Sequence, residues 1–129
     1  MLEFPGSAED FERGVELFNR GRYFEAHDAW EQLWLGEAKD TPPKLFIQGL
    51  IMVAGALDQC KKGEYSGAVK LLEKGVKRLT EYRSIGSGVM DVEDFLGKIE
   101  PLYERLIAGA VSEPPLGDSP PAIRLSRGR

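Results

Sequence analysis

Leu45-Phe46-Ile47-Gln48-Gly49-Leu50-Ile51-Met52-Val53-Ala54-Gly55-Ala56-Leu57 is the longest apolar run of the chain, 13 residues broken only by Gln48 and two glycines. A membrane span needs roughly 18 or more apolar residues, so this run is too short to cross a bilayer. Around a helical axis its large side chains (Phe46, Ile47, Leu50, Ile51, Met52, Val53 and Leu57) cover nearly the full circle. A helix that is apolar all round belongs in the middle of a bundle. The run therefore predicts a central helix over about 43–62. Pro43 is tolerated in its first turn, and Lys61-Lys62-Gly63 is a stop signal.

Working outward, helical periods with caps flank this centre. Ser7 with Glu9 and Asp10 opens a first helix, Phe11, Val15 and Phe18 recur at helical spacing, and Asn19-Arg20-Gly21 closes it. A second helix covers about 22–35 and ends at Gly36 and the turn Asp40-Thr41-Pro42-Pro43. A fourth covers about 65–82, and Arg83-Ser84-Ile85-Gly86-Ser87-Gly88 reads as a flexible connection. A fifth starts at Asp91, and Pro101 either kinks it or opens a short sixth helix. From Glu113 the chain carries four prolines in 17 residues and no helical period. That segment is expected to be an extended tail, 113–129, laid across a helical domain, 1–112. No strand alternation stands out, so the fold class is all-α: a compact bundle of five or six helices.

The chain has 129 residues, about one domain. Lys plus Arg total 17 and Asp plus Glu total 21, a net charge of −4, which offers no electrostatic footprint for nucleic acid. One Cys makes neither an internal disulfide nor a Cys-rich zinc site. Met1 to Gly6 lacks the basic and apolar regions of a targeting signal. The expectation is a cytoplasmic protein that binds neither nucleic acid nor membrane.

Two segments share the pattern G-x-Y-x-x-A: Gly21-Arg22-Tyr23-Phe24-Glu25-Ala26 and, 42 residues later, Gly63-Glu64-Tyr65-Ser66-Gly67-Ala68. Trp30 then aligns with Leu72 and Glu31 with Glu73. Glycine ends one helix in a left-handed turn, tyrosine packs in the crook, and alanine lets two helices approach. The spacing resembles the hairpin logic of tetratricopeptide repeats. It predicts a bundle built on two related helical hairpins, and with it a module that holds a peptide or protein, or a homo-oligomer.

The second helix holds the chain's only histidine. Its apolar stripe is Tyr23, Ala26, Trp30, Leu33 and Trp34, with Phe24 and Leu35 on one shoulder. His27 falls inside the stripe and Glu31 between stripe and shoulder, so both point to the core side, spaced i,i+4. A buried carboxylate must be paired, metal-bound or protonated. In the aligned second copy Val69 replaces His27 while Glu73 matches Glu31, so the hairpin itself does not require the imidazole.

His27-Asp28-Ala29-Trp30-Glu31-Gln32-Leu33-Trp34 fits H-x-x-x-E-x-x-W. With Tyr23-Phe24-Glu25-Ala26 before it, Gln48-Gly49-Leu50-Ile51 in the third helix and Gly63 to Ala68 after, the segment from about Phe11 to Leu79 resembles the DUF309 family, small helical proteins of unknown function. That resemblance implies a suggested, unproven metal-binding role for the motif, mapping to His27, Glu31 and Trp34. Where relatives often show a second His, this chain has Asp58-Gln59-Cys60, so Asp58 or Cys60 would stand in as a ligand of a divalent metal.

Three readings of the site follow. In the first, His27 and Glu31 bind a metal, with a third ligand from Glu25, Asp28, Asp58, Cys60, Gln48 or a second subunit. In the second, His27 and Glu31 form a structural hydrogen-bond network that locks the hairpin. In the third, they are the polar anchors of a pocket walled by Tyr23, Trp30 and Trp34, with Gln48 within reach. A binding groove exposes some of these aromatics, whereas a core buries all of them. Cys60 has two readings: Lys61 and Lys62 after it could lower its pKa, while a lone Cys in a bundle is usually a small core residue.

Overall fold

In the computed structural model, which describes residues 4, 6–36, 39–109, 115–117 and 119–126, the chain forms six helices. They are α1 (Ala8–Asn19), α2 (Tyr23–Leu35), α3 (Pro42–Lys61), α4 (Tyr65–Glu81), α5 (Arg83–Gly86) and α6 (Val92–Ile107). Among the described residues there is no strand, only one antiparallel bridge between Met90 and Leu125. The fold is all-α, as the apolar run and the flanking caps predict.

Helix starts follow the local chemistry. Ser7 Oγ accepts the Asp10 N–H at 3.1 Å while an Asp10 carboxylate oxygen accepts the Ser7 N–H, a reciprocal capping box. Thr41 caps α3 and Asp91 caps α6 in the same one-sided way, each accepting the N–H three residues on. α2 and α4 have no side-chain cap. Each instead leaves a glycine turn: Gly21 and Gly63 have φ of 79° and 77°. The residues after them, Arg22 and Glu64, share φ −92° with ψ 68° and 67°. Both turns are closed by the same bond five residues back, Arg22 N–H to Leu17 O and Glu64 N–H to Gln59 O, each 2.9 Å. Only glycine holds that positive φ without a Cβ penalty.

α3 is the centre. Phe46, Ile47, Leu50, Val53, Ala54, Ala56, Leu57 and Cys60 are fully buried. α2 packs on one side of it and α4 on the other, α1 rides on α2, and α6 on α4. Glycines bring the pairs close. A Cβ built on Gly75 of α4 would stand 2.9 Å from the Gly49 carbonyl of α3, and one on Gly49 would stand 3.1 Å from the Gly75 carbonyl. On the other side a Cβ at Gly14 of α1 would fall inside the Trp30 indole. Trp30 is fully buried, donates to the Phe11 carbonyl at 3.1 Å, and packs against the rings of Phe11 and Phe18.

Two expectations change. The connection expected to be flexible at 83–88 contains the short helix α5. Its Gly86 is buried against the Phe46 ring with no room for a Cβ, so that glycine serves packing, not mobility. Pro101 does not open another helix, and α6 runs on through it to Ile107. Phe95, Ile99, Leu102 and Leu106 bury one continuous face along α6, and that burial outweighs the one bond that proline removes.

The tail is ordered where it is described. Leu116 and Ile123 are buried. Asn19, at the end of α1, grips one residue from both sides. Its Nδ2 donates to the Ile123 carbonyl at 2.9 Å, and its Oδ1 accepts the Ile123 N–H at 2.7 Å. Asp91 N–H donates to the Arg124 carbonyl and Ser126 N–H to the Val89 carbonyl. The expected boundary at 112–113 lies outside the described residues. No helix among them is long and apolar enough to cross a membrane.

Two glycine-to-alanine changes in helices should have opposite signs. At Gly97, where a Cβ meets nothing within 4 Å, alanine should stabilise by about 0.5–1 kcal/mol. At Gly14 the overpacking against Trp30 should cost about 1–3 kcal/mol. Urea denaturation of both variants reads the difference.

Candidate functional site

α2 buries Tyr23, Ala26 and Trp30. With Trp30 turned into the core, His27 and Glu31 fall at the margin of the buried arc, each partly exposed. His27 rests on α3 where Gly55 leaves space, a built Cβ there standing 3.6 Å from His27 Cδ2. Its ring lies parallel to that of Phe24, centroids 6.3 Å apart. Neither His27 nor Glu31 makes a side-chain hydrogen bond or ion pair within the described residues.

This corrects the expectation that both point to the core, and it removes the hydrogen-bond network that would lock the hairpin. The physical reason is angular. The apolar residues of α2 extend past the buried stripe to the Phe24–Leu35 shoulder, and Trp30 with Tyr23 takes the buried position. His27 is left beside the interhelical seam, and the Phe24–Leu35 shoulder is turned outward. Phe24 is 64% exposed and Leu35 61%. They stand eleven residues apart, three helical turns, so Phe24, His27, Glu31 and Leu35 share one outer face.

The expected aromatic wall is divided. Trp30 belongs wholly to the core and presents no surface to a ligand. Tyr23 is 2% exposed, packs edge-on against Phe18, and borders only a small cavity of about 240 Å³ beneath the tail, on the side of Gly21 and Leu116. Trp34 is half-buried and lies under the Lys44 ammonium, 4.5 Å from the ring centroid. Lys44 also pairs with Asp40 at 3.5 Å. Its side chain is 9% exposed, a burial that no sequence signal announced. Trp34 Nε1 and Gln48 Oε1 are both buried without a hydrogen-bond partner in the described structure. Gln48 Oε1 therefore accepts no hydrogen bond from His27.

Asp58 is drawn elsewhere. Its carboxylate pairs with Lys62 Nζ at 2.9 Å, one turn along α3. Among the described residues no three His, Cys, Asp or Glu side chains are grouped to hold a metal ion. His27 and Glu31 are thus two candidate donors without a third from the same chain, and the single chain does not fit a three-ligand zinc site.

Cys60 is a fully buried core residue, the ordinary one of its two readings. Burial pushes its thiol up to about 11, not down. Lys61 is spent on the Gly21 carbonyl at 3.1 Å and the Tyr23 ring, and Lys62 on Asp58. Burial, and then the neighbouring Cys60, raise Tyr23 to about 12.

Residues 11–71 match the family model of a domain of unknown function, DUF309, and the chain carries that domain over this span. No curated protein and no solved structure matches the chain.

Two predictions follow from this geometry. His27→Ala and Glu31→Ala should each change unfolding free energy by no more than about 0.5 kcal/mol, whereas Trp30→Ala should cost about 3–5 kcal/mol. Severe unfolding of both site variants would restore the structural network. The buried phenol and thiol also set an alkaline limit. Their folded pKa values, about 12 and about 11, lie above the ordinary values of 10.0 and 9.0. The unfolded chain therefore loses these protons first, and stability declines as pH rises from about 9 towards 12. A Tyr23→Phe, Cys60→Ala variant should flatten that decline in melting temperature.

Proposed function

We propose that the protein is an interaction module acting through the outer face of α2, and that the partner of this face is a second copy of the chain. One observation carries the reading: two large apolar side chains, Phe24 and Leu35, stand exposed at the ends of a stripe whose middle holds an imidazole and a carboxylate that make no hydrogen bond or ion pair among the described residues. Exposed apolar patches of this kind on a folded domain mark contact surfaces.

The stripe is self-complementary. When two copies of α2 cross antiparallel about a two-fold axis, position 24 meets position 35 of the other helix, and 27 meets 31. Each His27 then faces a Glu31, and each Phe24 a Leu35. Four apolar side chains leave water while two ion pairs fix the register. One helix face per copy is smaller than the standard interface of roughly 800 Å² per partner. The dimer is therefore of the weak, transient class.

Divalent metal binding is the second reading, favoured by the free i,i+4 pair. One chain supplies two donors, and the same two-fold contact would double them to two imidazoles and two carboxylates, a full tetrahedral set. Metal analysis of tag-free protein tests it. One ion per two chains, lost in His27→Ala and in Glu31→Ala, supports it, while no bound metal and no metal-induced rise in Tm overturns it.

Sedimentation equilibrium up to millimolar chain tests the dimer. Phe24→Asp and Leu35→Asp should each abolish association. His27→Glu alone should weaken it by placing carboxylates against each other, and His27→Glu with Glu31→His should restore it by exchanging the two ends of the pair. A monomer at every concentration, or a dimer indifferent to Phe24→Asp, overturns the proposal.

A further inference from the structure

On the other side of the bundle, beyond the residues of the DUF309 domain, α4 and α6 enclose a cleft of about 520 Å³. That volume lies within the range of ligand sites, roughly 300–1,000 Å³. Its two ends differ in chemistry. Val76 and Leu96 make an apolar floor between them.

At one end stand Glu73 and Glu100 with Tyr103, whose hydroxyl donates to Glu73 Oε2 at 3.2 Å. That bond uses one oxygen of Glu73 and leaves the other open. Gly97 also lines the cleft, and nothing stands within 4 Å of where its Cβ would be, so the cleft is open there. Two carboxylates and a phenol form an acceptor-rich end that suits an ammonium group.

At the other end stand Thr80 and Arg83. Arg83 meets Glu93 only at 3.9 Å, with the two side chains 55% and 73% exposed. A pair so long and so exposed leaves most of the guanidinium's donors unspent. This end suits a carboxylate.

The length between the ends selects the ligand. Glu73 is bonded to Tyr103 and Arg83 faces Glu93, and Glu93 and Tyr103 stand ten residues apart along the single helix α6, about 15 Å at helical rise. The two charges of a free amino acid cannot reach across that distance. An extended peptide advances about 3.3–3.6 Å per residue, so about four residues do. We propose that the α4–α6 cleft binds a short peptide with free termini, its ammonium at Glu73 and Glu100, its carboxylate at Arg83, and an apolar side chain on Val76 and Leu96. The inference is independent of the α2 face.

Titration of the ¹⁵N-labelled full chain with the tetrapeptide Ala-Val-Leu-Ala tests it. The expected result is saturable shifts confined to α4–α6, weakened about tenfold or more by N-acetylation and likewise by C-amidation. Arg83→Gln should weaken the free-acid peptide and leave the amidated one unchanged. Glu100→Gln should discriminate in the same way at the amino end. Both side chains are at the surface, so both variants should keep the wild-type spectrum. Gly97→Leu should fill the cleft and abolish the shifts in a protein whose own spectrum outside α4–α6 is unaltered. No saturable shift at 5 mM peptide, or equal affinity for the doubly capped peptide, overturns the proposal.

Discussion

The approach of α3 and α4 at Gly49 and Gly75 is the contact on which the rest of the bundle depends. Each glycine stands where a Cβ would press on the other's carbonyl, so the two backbones touch with nothing between them. That closeness lets the side chains above and below interlock, and it leaves α3 enclosed. With one flank of α3 taken by α4, α2 must cover the other, and α1 can reach the core only by riding on α2. Gly14 repeats the device there, giving the Trp30 indole the space a methyl would occupy. Three small residues set helix separations that larger ones then fill.

The same packing decides what α2 shows to solvent. Trp30 is held by a hydrogen bond to α1 and by two phenylalanine rings, so the rotation of α2 about its axis is fixed. Phe24 and Leu35 lie on the far side of that axis from Trp30 and are turned outward as a result. Their exposure follows from a well-anchored neighbour. His27 and Glu31, at the margin between, inherit neither the dry core nor a partner. The candidate site is a consequence of which tryptophan the core accepts.

Much of the architecture was legible in the residues. Ser7, Thr41 and Asp91 mark helix starts, Gly21 and Gly63 mark the turns, and the run from Leu45 to Leu57 identifies the central helix. The face that α2 buries was legible as the stripe of Tyr23, Ala26 and Trp30, with Leu33 and Trp34 partly buried beside it. The margin of that face was not legible: apolar residues extend past the stripe to Phe24 and Leu35, so periodicity alone cannot say where burial stops, and the expectation for His27 and Glu31 turned on that margin. Gly86 reads as a flexible linker residue because local sequence cannot show a phenylalanine, Phe46, forty residues earlier in the chain. Nothing local marks Lys44 for burial, yet its ammonium lies over Trp34. The α4–α6 cleft depends on Gly97, Glu100 and Tyr103 of α6 facing Glu73 of α4, a juxtaposition that only the folded chain makes.

Asn19 offers the tail what a neighbouring strand would offer: one donor and one acceptor at the spacing of a peptide bond. Its partner, Ile123, lies 104 residues away, the longest separation of any side-chain hydrogen bond described above. Closing so long a loop costs only logarithmically more than closing a short one, but its component parts must already be in place. α1 must have docked on α2, and α6 on α4, before the amide and the tail can meet. In kinetic terms the clamp is a latch: formed late, it adds little to the speed of folding, and it slows the chain's departure from the folded state.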